Sequence, residues 1–117
     1  KGCRRHVEGP YGFRELHGVR GIVLPHQRKN TSHTFHLFVI RAQRRDDLKK
    51  YLEKEGIQTL IHYPSALPNL SVYKKADQSF PVALMLEKEA LSLPLYPELS
   101  DGAIQYICSK VKAFYAK

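Results

Sequence analysis

The sequence predicts an α+β fold, a two-layer sandwich in which helices cover one face of a small, mainly antiparallel sheet. Three observations lead there. The apolar, β-branched and aromatic run ending at Ile40 and Arg41 reads as a strand covered on both faces. The elements alternate as strand, helix, strand, loop, helix, strand, helix, and the strands are few and short. The last helix carries an apolar stripe, Ile104, Ile107, Cys108, Val111, Phe114 and Tyr115, at the spacing of one helical face.

The elements follow in order. Residues 1–20 are basic and broken by Gly9-Pro10, which a helix interior does not tolerate cheaply. A short helical turn is expected from Tyr11 to Leu16, ended by Gly18 and Gly21. Ile22 to Ser32 is loop-like in composition, and Thr34 to Arg41 is the first strand, interrupted by His36. A helix then opens on Asp46 and Asp47, whose charges suit a helix N-terminus. Leu48, Tyr51 and Leu52 share one of its faces, and Gly56 closes it in a left-handed cap. Ile57 to His62 is a second strand, stopped by Pro64. Residues 64–80 form a loop with one helical turn near Val72-Tyr73. Pro81 takes the first position of a helix reaching about Ala90, Leu91 to Leu93 is a short strand, and Ser100 caps the final helix with Asp101 in its first turn.

A chain of 117 residues with 43% hydrophobic side chains is one folded domain, which excludes disorder, collagen and fibrous repeats. No run approaches the ~20 apolar residues of a membrane span. No charged-then-apolar leader opens the chain, so secretion is not expected. The chain starts at Lys1 rather than Met, as a fragment or a processed product does. The two cysteines, Cys3 and Cys108, form no zinc spacing and no disulfide framework, so a reducing, cytoplasmic setting is the expectation.

Nineteen Lys and Arg against eleven Asp and Glu give a net charge of +8. All of the excess lies in residues 1–50, with 12 basic and 4 acidic groups; residues 51–117 carry 7 of each. A basic half is either a solvated face or a footprint for phosphates or nucleic acid. With no RNP-like, zinc-finger or helix-turn-helix pattern beside it, nucleic acid is not the expected partner. No metal site is expected either, because His33 and His36 fall on opposite faces if their segment is a strand. His62-Tyr63-Pro64 ends a strand and enters a proline-rich loop, where binding groups collect on rigid scaffolds. The plainer alternative is that His62 caps the strand and Tyr63 packs on Pro64.

Several motifs in sequence order resemble the DegT/StrS family of pyridoxal-phosphate-dependent sugar aminotransferases. His33-Thr34-Phe35-His36-Leu37-Phe38-Val39-Ile40-Arg41 is similar to the family strand H-x-Y-H-L-F/Y-V-x-R. Arg45-Asp46 with Leu48 is similar to R-D-x-L, and Gly56-Ile57 with Thr59 to G-I-x-T. His62-Tyr63-Pro64 matches H-Y-P, Phe80-Pro81-Val82-Ala83 matches F-P-V-A, and Leu91 to Leu99 matches L-S-L-P-x-Y-P-E-L. The likeness covers about residues 20–116. Two family positions differ: the second His of H-Y-P-x-P-x-H is absent, with Asn69 in that stretch, and Leu84 stands where the family has Glu.

The resemblance implies the small C-terminal domain of the type I aminotransferase fold over residues 22–117, with residues 1–21 the remnant of a long inter-domain helix. It implies that the Schiff-base lysine lies in a large domain upstream, so the isolated chain holds no catalytic residue and no cofactor of its own, and is inactive alone. It implies His62, Tyr63, Asn69 and Arg41 as substrate-binding residues, with a nucleotide sugar as ligand. Loss of the large domain would uncover an apolar face and favour self-association. The alternative is a free-standing binding module that kept the fold without the chemistry.

Overall fold

The computed structural model describes residues 11–73 and 79–116. Cys3 and Gly9-Pro10, singled out above, lie outside the described residues. Three strands, β1 (Ile22–Val23), β2 (Phe38–Ala42) and β3 (Ala90–Leu93), form an antiparallel sheet in the order β1-β2-β3. The register sets Phe38 opposite Leu93, Val39 opposite Ser92, Ile40 opposite Leu91 and Arg41 opposite Ala90. Alternation along β2 therefore divides its side chains: Phe38, Ile40 and Ala42 are buried, and Val39 and Arg41 are half-buried on the other side.

The core grows on the Phe38 face. A 3₁₀ turn at Tyr11–Leu16 supplies Phe13, whose ring stacks on Phe38 at 4.6 Å between centroids, and Leu16. Helix α1 (Arg45–Lys54) adds Leu48 and Leu52. Helix α3 (Asp101–Tyr115) adds Ile104, Ile107, Cys108, Val111 and Phe114, the stripe expected from its spacing. Burial pushes the Cys108 thiol up to about 11, so the free thiol behaves as a small apolar side chain. Helix α2 (Pro81–Glu89) runs on the other side of β2, where Glu89 and Met85 meet Arg41.

The helix ends explain the helix lengths. The Ala103 N–H donates to the Ser100 hydroxyl at 3.1 Å, and Pro81 opens α2. After α1, Gly56 takes a φ of 79°; its N–H donates to the Glu53 carbonyl and that of Ile57 to the Leu52 carbonyl, a Schellman closure.

Four expectations change in detail. The first strand begins at Phe38 rather than Thr34, because Phe35 has a φ of 50° and donates its N–H to the His33 ring at 2.7 Å. That turn folds the Phe35 side chain back against the core. His33 and His36 thus precede the strand, and strand faces say nothing about them; among the described residues no three His, Cys, Asp or Glu are grouped to hold a metal ion. The Ile57–His62 strand reduces to one antiparallel bridge between Leu60 and Ser92. Ile22-Val23, expected as loop, pairs with Ala42 and Arg41 as β1. In the 64–80 loop the helical turn is at Leu67–Asn69, followed by a tight turn in which Tyr73 N–H donates to the Leu70 carbonyl. Among the described residues no helix is long and apolar enough to cross a membrane.

Gly21, with a φ of 94°, lies under the Tyr115 ring, whose nearest atom would stand 2.6 Å from a Cβ placed there. Gly21→Ala combines a left-handed backbone penalty with overpacking, and is expected to lower stability by about 2–4 kcal/mol. Urea unfolding measures this; an unchanged midpoint would show that the Tyr115 contact yields freely.

Candidate functional site

The site face is the side of the sheet that the core does not use. Ser92 exchanges both backbone hydrogen bonds with Leu60, at 2.8 and 3.2 Å, which ties the 57–62 segment to the edge of β3. Two residues on, the His62 ring Nδ1 lies 2.8 Å from the Ser92 hydroxyl. Tyr63 follows with 76% of its surface exposed, its ring edge-on to His62. The proline-rich loop then turns back over α2. An open depression of about 1120 Å³ results, with Val39 and Ala90 in its lining beside His62, Tyr63, Leu67 and Leu86.

Glu87 of α2 organises the loop. One carboxylate oxygen accepts from the Ala66 N–H and from the Asn69 side-chain amide, each at 2.7 Å. The Ala66 hydrogen bond first, then that from Asn69, hold its carboxyl below the ordinary carboxylate range. Asn69 is therefore a loop residue fastened to Glu87.

Of the four expected site residues, His62 and Tyr63 border the depression; Asn69 is outside its lining and donates to Glu87, which is part of it. Arg41 is not in the lining. Its guanidinium Nε donates to Glu89 at 2.9 Å and its Nη2 to the Met85 sulfur at 3.0 Å. Two residues escaped the sequence reading, Ser92 and Glu87. Ser92 sat inside the L-S-L-P motif as an apolar-strand residue, and Glu87 lies one helical turn beyond Leu84, the position where the family has Glu.

The described residues do not supply what a covalently held pyridoxal phosphate needs. Among the described residues no lysine lines the depression. Lys49, Lys110 and Lys112 are paired with Glu53, Glu55 and Glu15. The Glu55 hydrogen bond raises the Lys110 pKa, the opposite of what a Schiff-base amine requires. The arrangement offers recognition: an aromatic face and an imidazole beside an apolar floor.

The sequence matches the profile of the DegT/DnrJ/EryC1/StrS aminotransferase family over residues 4–112. It is 41% identical over 114 residues to the erythromycin biosynthesis sensory transduction protein EryC1 of Saccharopolyspora erythraea, covering 95% of this chain and 31% of that protein. It is 31% identical to the dTDP-3-amino-3,6-dideoxy-alpha-D-galactopyranose transaminase of Aneurinibacillus thermoaerophilus, over 93% of this chain and 28% of the other. The fold resembles S. venezuelae DesV, solved in complex with a ketimine intermediate, with a TM-score of 0.84 at 31% identity over 91% of this chain and 29% of that one. A DegT DnrJ EryC1 StrS aminotransferase from Brucella abortus gives 0.82 at 28% identity, over 92% and 29%. The chain thus spans less than a third of the length of these relatives.

The Glu87 contacts carry a pH dependence whose sign is fixed. A carboxyl with a depressed folded-state pKa contributes above its unfolded value, and the contribution is lost as pH falls through the folded one. The Ala66 and Asn69 amide resonances are expected to titrate together, with a midpoint below the ordinary carboxylate range. Glu87→Gln should abolish that shared titration and speed amide exchange at Ala66. Independent titrations of the two amides would mean that Glu87 does not hold the loop.

Proposed function

Since the chain belongs to the DegT/DnrJ/EryC1/StrS aminotransferase family, we propose that it forms the small-domain wall of the substrate cleft in a pyridoxal-phosphate-dependent nucleotide-sugar aminotransferase. Residues 22–117 are the small-domain unit in this reading, and residues 1–21 lead into it. The observation that carries it is the open, largely apolar depression bordered by His62 and Tyr63. Pyridoxal phosphate supplies the electron sink for amino transfer wherever it is bound. This chain's own residues bind and orient: Tyr63 offers a face for a base or sugar ring, His62 a polar ring nitrogen, and Asn69 an amide on the loop fastened by Glu87. Arg41, paired with Glu89, acts at the margin, through charge at a distance rather than by a direct ligand contact. A nucleotide-linked sugar is the ligand this reading takes, supported by the relative named as a dTDP-sugar transaminase. A cytoplasmic setting belongs to the same reading, supported by the free, buried thiol of Cys108.

The exposed apolar side chains Tyr63, Leu67, Val72, Tyr73 and Val82 support a second part of the proposal, that the isolated chain self-associates. Sedimentation velocity at rising concentration is expected to show a dimer or larger species. A clean monomer at millimolar concentration would refute this part.

The ligand reading is tested by NMR titration with a dTDP-linked hexose. Saturable shifts are expected to cluster at residues 62–69. Tyr63→Ala should weaken them about tenfold or more, the scale of one lost aromatic stacking contact. Shifts scattered over Arg and Lys that vanish at moderate salt would leave only nonspecific charge attraction.

A further inference from the structure

We infer that Ser92 is a positioning residue for His62: its hydroxyl donates to Nδ1 and holds the neutral ring with its proton on Nε2, so that His62 presents a hydrogen-bond donor to an oxygen acceptor on the ligand. The inference deepens the proposed function and rests on it for the ligand alone; the tautomer follows from the protein's own geometry.

Ser92 is 4% exposed, and its backbone is held on both sides, by Val39 across β2–β3 and by Leu60 across the isolated bridge. Its hydroxyl carries one hydrogen to donate. Among the described residues its recorded hydrogen-bond partner is the His62 Nδ1 at 2.8 Å. If Nδ1 carried the ring proton, that nitrogen would be the donor and the serine hydrogen would have no acceptor among the described residues. Folded proteins avoid orphaned buried donors, and here the alternative costs nothing. With the hydroxyl donating to Nδ1, both groups are satisfied and the ring proton moves to Nε2.

The ring cannot escape by turning over. A flip about its long axis would bring the Cδ2–H to the serine oxygen at a separation that suits only a polar partner. The edge of Tyr63, with ring centroids 5.7 Å apart and planes 85° to each other, braces the imidazole from the side. Nε2 has no hydrogen-bond partner among the described residues, and His62 borders both the large depression and a smaller cavity of about 520 Å³ that Ser92 also lines. A neutral ring in this state meets an acceptor, a base carbonyl or a phosphoryl oxygen, and turns away a ligand N–H.

The ¹⁵N-labelled chain tests this at about pH 8.5, two units above the reference imidazole value of about 6.5. Long-range ¹H–¹⁵N spectra are expected to show His62 with a protonated Nε2 and a bare Nδ1, in a ratio on the order of tenfold or more. Ser92→Ala should let the two tautomers mix, and Ser92→Thr, which keeps the hydroxyl, should restore the fixed one. A protonated Nδ1 in the unaltered chain, or a tautomer unmoved by Ser92→Ala, overturns the inference; the unaltered chain decides even if the alanine variant does not fold. Thymidine and inorganic pyrophosphate, titrated separately, tell a base carbonyl from a phosphoryl oxygen by which one moves the Nε2 resonance. A shift with neither overturns the acceptor assignment. A fixed tautomer in a chain whose residues 62–69 ignore the dTDP-linked hexose would sink the ligand reading and leave the Ser92 role standing.

Discussion

The pairing of β2 with β3 is the constraint on which the rest depends. Antiparallel registration of Phe38 with Leu93 and Ile40 with Leu91 commits one side of both strands to the core. The same registration commits Val39, Arg41, Ser92 and Ala90 to the other side. A slip of one residue would bury Arg41 and expose Ile40, so the register is fixed by the burial it achieves. The site inherits this fixity. Ser92 faces away from the Leu91 and Leu93 side chains, the Leu60 bridge attaches to its backbone, and His62 meets its hydroxyl two residues later.

Charge has a similar internal role. The basic excess of the first half was open to two readings, a solvated face or a footprint for an anionic partner, and three of its arginines are engaged at the joints of the fold. Arg45 is almost completely buried, donating to the Ala90 carbonyl at 2.9 Å and to Asp46 at 2.8 Å. It connects the start of α1 to the α2–β3 junction. Arg44 lies 4.8 Å above the Phe114 ring and pairs with Asp47, joining the same turn to α3. Arg41 fastens α2 to β2 through Glu89. Removing Arg45 would leave the buried Ala90 carbonyl without its donor, a larger penalty than the loss of an exposed pair such as Arg44–Asp47.

The parts of this arrangement that were legible in the sequence are those with local causes. The three helices and β3 announced themselves by a cap, a proline at the first position, a glycine with positive φ or an apolar stripe. β1 did not, because two residues have no periodicity of their own and exist as a strand only through Ala42 and Arg41, about twenty residues away. Thr34 to Leu37 had strand-like composition, but a single left-handed residue, Phe35, outweighed it. The site divides the same way. His62 and Tyr63 stood out because a strand-like run ends there in proline. Ser92 and Glu87 touch them or their loop from 30 and about 20 positions away, and no spacing rule could join them.

The ionisable groups at the depression then separate recognition from chemistry. Those of the described lining are His62, Tyr63, Tyr73 and Glu87. Glu87 already accepts two hydrogen bonds on one oxygen and is held as the anion, so it is a poor proton carrier near neutral pH. The tyrosines are exposed, and among the described residues neither hydroxyl is hydrogen-bonded to a base. His62 is turned by Ser92 into a fixed hydrogen-bond donor. Nothing in such a set is poised to attack or to accept a substrate proton, while each member suits holding an oxygen-rich ligand against an apolar floor. In the proposed reading, a wall of that kind completes a cleft together with another surface that brings the reacting groups.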